Sequence, residues 1–177
     1  MNSIIVSHDY KNWLTELKSK IRQSQIKASI KVNTEMLRMY WDMGHDIATK
    51  QLDAKWGSGF FNQLSRDSHK EFPKMQGFSV SNLKYIKRFY LFYSEDDTIR
   101  QQVADELGSP LFNIPWWHHV TLLTKCKTSK EALFYIQQTL ANGWSRNVLL
   151  NMLDTGMYEA QGKALTTFKK ISCELAR

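Results

Sequence analysis

The sequence predicts an all-α domain that contains a helix-turn-helix-like unit. Apolar residues recur at steps of three and four along most of the 177 residues, and no segment before Gly156 alternates convincingly between apolar and polar residues. Only 3 prolines and 8 glycines interrupt the chain, and 42% of its residues are apolar, as in folded proteins. After Gly156 the periodicity fades, which leaves a minor β wing or strand, another helix and a linker as alternatives. We therefore assign residues 1–156 to the helical domain and residues 157–177 to a C-terminal extension or the start of a linker.

The first helical segment extends from Tyr10 to Lys50. Its apolar residues follow three- and four-residue steps and comprise Trp13, Leu14, Leu17, Ile21, Ile30, Met36, Leu37, Tyr40, Trp41, Met43 and Ile47. Neither proline nor glycine occurs in this segment before Gly44. The pattern fits one helix of about 60 Å and equally two helices that meet near residues 24–29. Asn33 is either a buried polar group that fixes helix pairing or a residue that faces water.

Two short helices joined by a turn with a proline and a glycine follow. The first helix spans residues 60–72 and the turn spans residues 73–78. Ser79 can cap the second helix with its hydroxyl, while Phe78 can pack on Leu83 as a hydrophobic staple. A helix, a turn and a basic helix form the arrangement that places side chains in a DNA major groove, although this turn exceeds the usual three or four residues.

Four later helices are indicated mainly by their ends. A short helix is expected near residues 99–107, and Pro115 suits the first turn of the next helix. The residues Thr128–Glu131 form a capping box at the start of a third helix, which Gly143 can close in the left-handed conformation. Ser145 can cap the fourth helix. These signals are local, so each predicts a helix end without reference to the rest of the fold.

The chain carries a formal net charge of +7 that is unevenly distributed. Residues 51–93 contain seven Lys/Arg and three Asp/Glu, whereas residues 94–109 contain one Lys/Arg and five Asp/Glu. A basic surplus suits a polyanionic partner, although charge alone favours such a partner only modestly.

The cysteines and the N-terminus indicate a soluble cytoplasmic protein. Cys126 and Cys173 have no CxxC spacing, so they indicate neither a disulfide framework nor a zinc site. The apolar run at residues 4–6 is too short for a signal peptide, and no run is long enough to cross a bilayer. We therefore expect no membrane partner.

The second of the two turn-linked helices supplies the candidate DNA-binding residues. Leu83, Ile86, Phe89 and Tyr90 are expected to face the core, which leaves basic residues on the opposite side. We predict DNA contacts from six residues at the helix start and on that opposite side: Ser79, Ser81, Asn82, Lys84, Lys87 and Arg88. Asparagine can pair with adenine, arginine with guanine and lysine with phosphate. The competing interpretation is a basic helix face that contacts only solvent.

The sequence contains no recognisable catalytic, cofactor-binding or metal-binding set. Adjacent His118 and His119 would point about 100° apart on a helix, and no further ligand stands at a suitable spacing, which favours ordinary histidines over a metal site. Nucleophilic triads, glycine-rich phosphate loops and HExxH patterns are also missing. We therefore predict no cofactor and expect that this chain is not itself an enzyme.

Landmarks along nearly the whole chain carry a resemblance to a known family. They are, in order, Asn33, Tyr40-Trp41-Asp42-Met43-Gly44, Trp56-Gly57, Leu64-Ser65, Phe72-Pro73, Gly77-Phe78-Ser79, Asn82-Leu83, Phe89-Tyr90, Pro115-Trp116, His118-His119, Phe134-Tyr135 and Gly143-Trp144-Ser145. With these landmarks the chain resembles the N-terminal domain of YhcG-type proteins, a bacterial family with a PDDEXK nuclease domain at the C-terminus. The resemblance implies a winged helix-turn-helix-like DNA-binding module ahead of a metal-dependent nuclease. Ser81 departs from the family pattern, since an arginine is common near that point.

The catalytic half that the resemblance implies is missing from the sequence. A PDDEXK core holds Mg²⁺ with an Asp and an acidic-x-Lys pair on adjoining strands. Beyond Gly143 the only acidic candidates are Asp154, Glu159 and Glu174, and no strand pair carries them. The sequence therefore indicates a fragment or a stand-alone copy of the first domain.

Two functions fit these observations. The first is a DNA-binding module that would target an associated PDDEXK-type nuclease, in cis in a longer protein, to double-stranded DNA. The alternative is a helical dimerisation or protein-interaction domain without direct DNA contact, because the apolar stripe from Trp13 to Ile47 needs to be covered. The two are compatible, since a symmetric homodimer would space two recognition helices along a duplex. RNA binding is permitted by the charge but supported by no motif.

Overall fold

The computed structural model describes residues 8–104 and 109–161, and this part of the chain is built from helices. They are α1 (His8–Thr49), α2 (Leu52–Trp56), α3 (Phe60–Glu71), α4 (Val80–Ser94), α5 (Asp97–Ala104), a 3-10 helix (Pro110–Asn113), α6 (Trp116–Lys125), α7 (Ser129–Asn142) and α8 (Arg146–Asp154). The predicted all-α fold class is confirmed. The described residues contain no strand, residues 157–161 are helical, and the rest of the predicted C-terminal extension lies outside the described residues.

Helix α1 is a single helix of 42 residues, so the first of the two sequence alternatives is the correct one. Its C-terminal half joins the core, where Leu37 and Tyr40 are buried. Asn33 donates a hydrogen bond from Nδ2 to the Ile114 carbonyl at 3.1 Å, and Thr34 donates from Oγ1 to the Phe112 carbonyl at 3.1 Å. Asn33 is therefore half-buried rather than turned to water, and it ties α1 to the segment that follows the 3-10 helix.

The centre of the core is the contact between α1 and α4. Gly44 of α1 lies directly against α4: a methyl group built on it would sit 2.5 Å from the Ile86 carbonyl oxygen and 2.8 Å from the Tyr90 Cβ. Next to this contact the Trp41 ring packs edge-on against Tyr90 and Phe89, at centroid distances of 5.0 and 5.8 Å. The glycine thus allows two helix backbones to approach more closely than any side chain would permit.

The predicted helix ends are found for most helices. The Thr128 Oγ1 accepts from the Glu131 N–H at 3.2 Å, while the Glu131 carboxylate accepts from the Lys127 N–H at 2.9 Å, one residue earlier than in an ideal capping box. Gly143 adopts the left-handed conformation with φ +63°, and the Ser145 hydroxyl accepts from the Val148 N–H at 3.4 Å. These caps set the angles at which α7 and α8 close over α6.

Three features differ from the sequence prediction. Helix α2 and the 3-10 helix were not predicted, because neither is long enough to show a periodic pattern. The short helix expected near residues 99–107 begins at Asp97, and residues 105–108 lie outside the described residues. Pro115 stands at the N-cap of α6 rather than within its first turn.

His118 and His119 are both buried in α6. Because the Leu111 carbonyl can only accept, His119 donates to it from Nε2 at 2.8 Å, and its Nδ1 accepts from the Tyr93 hydroxyl at 3.3 Å. Burial lowers the pKa of His119 to about 3, so this imidazole stays neutral. His118 donates from Nε2 to the Trp144 carbonyl at 3.0 Å. Both histidines therefore have a structural role in the core.

The neutral state of His119 makes stability depend on pH. The unfolded chain takes up a proton at the ordinary histidine pKa and the folded chain does not, so acid favours unfolding below that pKa. From this group alone we expect the free energy of unfolding to fall by about 2 kcal/mol between pH 7 and pH 5. Urea denaturation at both pH values measures this loss. His119→Gln should reduce the pH dependence, and an equal pH dependence in the wild type and this variant would contradict the assignment.

Candidate nucleic-acid interface

Helices α3 (Phe60–Glu71) and α4 (Val80–Ser94) and the turn between them occupy the segment for which the sequence predicts a helix-turn-helix-like unit. Phe78 at the end of the turn is buried and packs near the Phe72 ring at a centroid distance of 6.2 Å. The Ser79 hydroxyl accepts from the Asn82 N–H at 3.3 Å, which confirms Ser79 as the N-cap of α4. The turn therefore enters α4 from a fixed position in the core.

Asn82 does not have the orientation that the sequence analysis gave it. Its side chain is buried: Nδ2 donates to the Gly77 carbonyl at 2.6 Å and Oδ1 accepts from the Trp116 Nε1–H at 2.7 Å. A hydrogen bond also joins Asn82 to the Tyr40 hydroxyl, whose pKa is raised by burial and lowered by this bond. The amide is therefore fully used inside the protein and points away from a DNA partner.

The sequence does contain a signal for this inward orientation. Asn82 stands four residues before Ile86 and seven before Phe89, and both of these residues are buried. Positions at this spacing share one helix face. The residue type favours the opposite orientation, because an asparagine at a helix start is also a common DNA contact.

Lys87 is also turned toward the protein. Its Nζ lies 2.5 Å from the Asp53 Oδ2 in α2, and about a quarter of each side chain is exposed (26% and 28%). The hydrogen bond from Lys87 is the main cause that lowers the pKa of Asp53. Lys87 thus joins α4 to α2 and its charge is balanced. Sequence reasoning could not find this pair, since the two residues are 34 positions apart and α2 was not predicted.

The remaining four predicted residues are exposed. Ser79 lies at the N-cap, and Ser81, Lys84 and Arg88 lie on the outer face of α4. The last three, together with Tyr85, line a shallow depression of about 280 Å³. Lys84 and Arg88 are four residues apart, so their cationic groups occupy successive turns of one face. This face can offer two positive charges and two hydroxyls to an anionic ligand.

The turn adds groups that the sequence analysis did not include. Lys74 and Gln76 are both exposed in the turn just before α4. At the other end of the helix, Leu91 is 44% exposed on the same outer face and Glu95 follows it. The basic character of the unit is therefore concentrated at the turn and the first two to three turns of α4.

The described residues hold no cluster of three or more His, Cys, Asp or Glu that could bind a metal ion. Cys126 is buried, and burial raises the pKa of its thiol to about 12, which suits a packing residue rather than a nucleophile. Within the described ranges, every helix is too short or too polar to cross a membrane.

The fold and the outer face of α4 thus define an all-α domain that presents a basic helix after a turn. The chain matches the DUF1016 N-terminal domain over residues 16–160 and belongs to that family. It is also similar to the protein of Escherichia coli (strain K12) named "Putative nuclease YhcG": the two are 28% identical, and the alignment covers 72% of this chain. No solved structure matches the chain.

These comparisons confirm the resemblance to the N-terminal domain of YhcG-type proteins. The alignment covers 40% of the Escherichia coli relative, so this chain spans well under half of that protein's length. The family match is to the N-terminal domain and does not extend over a nuclease domain.

Proposed function

We propose that this chain is a DNA-binding module that targets a PDDEXK-type nuclease to double-stranded DNA. The observation that carries the proposal is the exposed outer face of α4, where Ser81, Lys84 and Arg88 follow a turn that is fixed in the core. The similarity to a protein named as a nuclease supports a nucleic-acid partner. The nuclease would act in cis, with residues 157–177 as the start of a linker, and in the cytoplasm.

Each of the six predicted residues has a definite part in this proposal. Lys84 and Arg88 contact phosphates or guanine edges in the major groove. The hydroxyls of Ser79 and Ser81 hydrogen-bond to phosphates at the helix start. Asn82 and Lys87 act from inside: Asn82 fixes the turn and α6 against α4 through 2.6 and 2.7 Å hydrogen bonds, and Lys87 holds α4 to α2.

Replacing Lys84 and Arg88 together with alanine should weaken binding to a short duplex by roughly 10- to 100-fold, because two charged contacts are lost. Both side chains are exposed, so the far-UV circular dichroism spectrum and the melting temperature should not change. Fluorescence anisotropy with a labelled duplex measures the affinity.

The chain offers a matched control for this variant. Lys127 and Lys130 at the start of α7 are both exposed and lie outside α1, and replacing both with alanine removes the same charge. This control should bind duplex almost as the wild type does. Equal weakening by both variants would mean that binding depends only on net charge, and weakening by the control alone would place the interface at α7.

A second function, homodimerisation through α1, is favoured by a separate observation. Large apolar side chains in the first part of α1 are exposed, among them Trp13 (55%), Ile26 (60%) and Ile30 (53%). Such a surface is typical of a protein–protein contact. A symmetric dimer would present two α4 helices to one duplex, so this function supports DNA binding rather than replacing it.

A further inference from the structure

The first 25 residues of α1, which we call the N-terminal arm (residues 8–32), differ from the rest of the helix. Of the arm side chains that the structure describes, none is buried, and only Leu14 and Leu17 are partly covered. The arm would extend over about 37 Å. From Asn33 onward the helix is anchored by hydrogen bonds to the 3-10 region and then by buried residues.

The apolar residues in the first half of the arm face away from the core, whereas Ile26 and Ile30 continue the core-facing side of the helix. At about 100° per residue, the core-facing positions Leu37, Tyr40, Gly44 and Ile47 lie on one side of the helix. The arm residues Tyr10, Leu14, Leu17 and Ile21 lie roughly opposite, in line with the later positions Met39, Asp42 and Asp46. The arm therefore carries a second apolar stripe, which we call the outer stripe, on the face of α1 that α4 does not cover.

The two halves of α1 carry opposite charge. The arm contains six Lys/Arg and two Asp/Glu, whereas residues 33–49 contain one Arg and three Asp/Glu. An antiparallel pair of α1 helices places each basic half beside an acidic half. A parallel pair would place the two basic arms side by side, which is unfavourable.

The second half of α1 lines a groove that is open to solvent. An open groove of about 970 Å³ lies along it and is floored by apolar side chains from α1, α2 and α3, among them Met39, Leu52 and Phe60. Its lining also includes three acidic residues, Glu35, Asp42 and Asp46, and one Arg, Arg38. A largely apolar groove with an acidic surplus complements an arm with an apolar stripe and basic flanks.

Resting on the homodimer proposed above, we propose that two copies of this chain pair antiparallel through α1, so that the outer stripe of each arm covers the groove of the other copy. The stripe spans residues 10–21 and the groove follows residues 35–47, so the two-fold axis falls near Ala28. The small residues Ser24 and Ala28, which lie on the same face as the outer stripe, allow the helices to approach closely at this point. In this register Leu17 of one copy lies near Met39 of the other, and Lys20 lies beside Glu35.

Distances between spin labels on the two copies test the orientation. Cys126 can stay, since it is buried and its thiol pKa of about 12 keeps it unreactive, and Cys173→Ser removes the other thiol. Labels at Ser29→Cys should lie roughly 10–15 Å apart in either orientation and report that the dimer has formed. Labels at Asn12→Cys should lie about 48 Å apart in the antiparallel pair and roughly 20 Å or less in a parallel one.

Charge reversal tests the register without disturbing the core. Lys20→Glu should weaken self-association about tenfold, as measured by analytical ultracentrifugation, because it places two acids together. Adding Glu35→Lys to the same chain should restore self-association. Adding Glu16→Lys instead returns the same net charge elsewhere on the arm and should not restore self-association. Equal rescue by both would contradict the register.

The outcomes separate this proposal from the homodimer itself. A dimer mass by light scattering with a short distance at residue 12 would overturn the antiparallel pairing and leave the homodimer standing. A monomer mass at all concentrations, with duplex binding still dependent on Lys84 and Arg88, would overturn both the pairing and the homodimer and leave the DNA-binding proposal intact.

Discussion

Replacing Asn82 with alanine should lower the free energy of unfolding by about 2–5 kcal/mol, because buried polar groups lose their partners. The Gly77 carbonyl and the Trp116 indole N–H bind the two ends of this amide at 2.6 and 2.7 Å, and the Tyr40 hydroxyl binds it as well. Alanine removes these three hydrogen bonds, each worth roughly 0.5–1.5 kcal/mol, and leaves their partners in the core without this amide. The turn before α4 would also lose its attachment.

Urea denaturation followed by tryptophan fluorescence measures this loss. Asn62→Ala provides the control, because Asn62 is an exposed asparagine in α3 and its replacement should change stability by less than about 0.5 kcal/mol. If Asn82→Ala were as stable as the wild type, the amide would not hold the turn, and its inward orientation would be wrong.

Replacing Gly44 with alanine should lower the free energy of unfolding by about 1–3 kcal/mol, although alanine is normally the better helix former. The added methyl would meet the Ile86 carbonyl oxygen at 2.5 Å and the Tyr90 Cβ at 2.8 Å. Both atoms belong to the rigid part of α4, so the two helices must separate. That separation would also disturb the packing of Trp41 against α4.

Gly59→Ala is the matched control for this substitution. Gly59 has no neighbour within 4 Å of an added methyl, and its φ of −81° is accessible to alanine. We expect a change of less than about 0.5 kcal/mol at this position. Thermal melts of the two variants make the comparison, and similar melting temperatures would contradict the close contact of α1 with α4.

The fold could be predicted from sequence wherever the signal is local. Ser79, Thr128 and Ser145 act as caps because a hydroxyl at a helix start bonds an N–H two or three residues later, and that pattern is visible in the chain itself. The continuity of α1 was left open because neither a glycine nor a proline marks or forbids a break. Contacts with the rest of the protein begin at Asn33, so they stabilise only the second half of that helix.

The candidate site was predicted in part, for the same physical reason. Its helix could be identified from periodicity and charge, but the orientation of each polar residue depends on distant partners. Asn82 meets Trp116, which is 34 positions away, and Lys87 meets Asp53 in a helix too short to show a pattern. The exposed orientation of Lys84 and Arg88 could be predicted without knowledge of a partner, since the apolar residues on the other side of α4 fix the direction of both side chains.

The salt dependence of duplex binding tests the proposed function most directly. For each phosphate contact that is lost, the log–log slope of affinity against salt should become shallower by about 0.9, so Lys84→Ala with Arg88→Ala should reduce it by about 0.9 to 1.8. The same measurement on Lys127→Ala with Lys130→Ala should give the wild-type slope. A wild-type slope for the α4 variant would contradict the proposal that α4 carries the DNA contact.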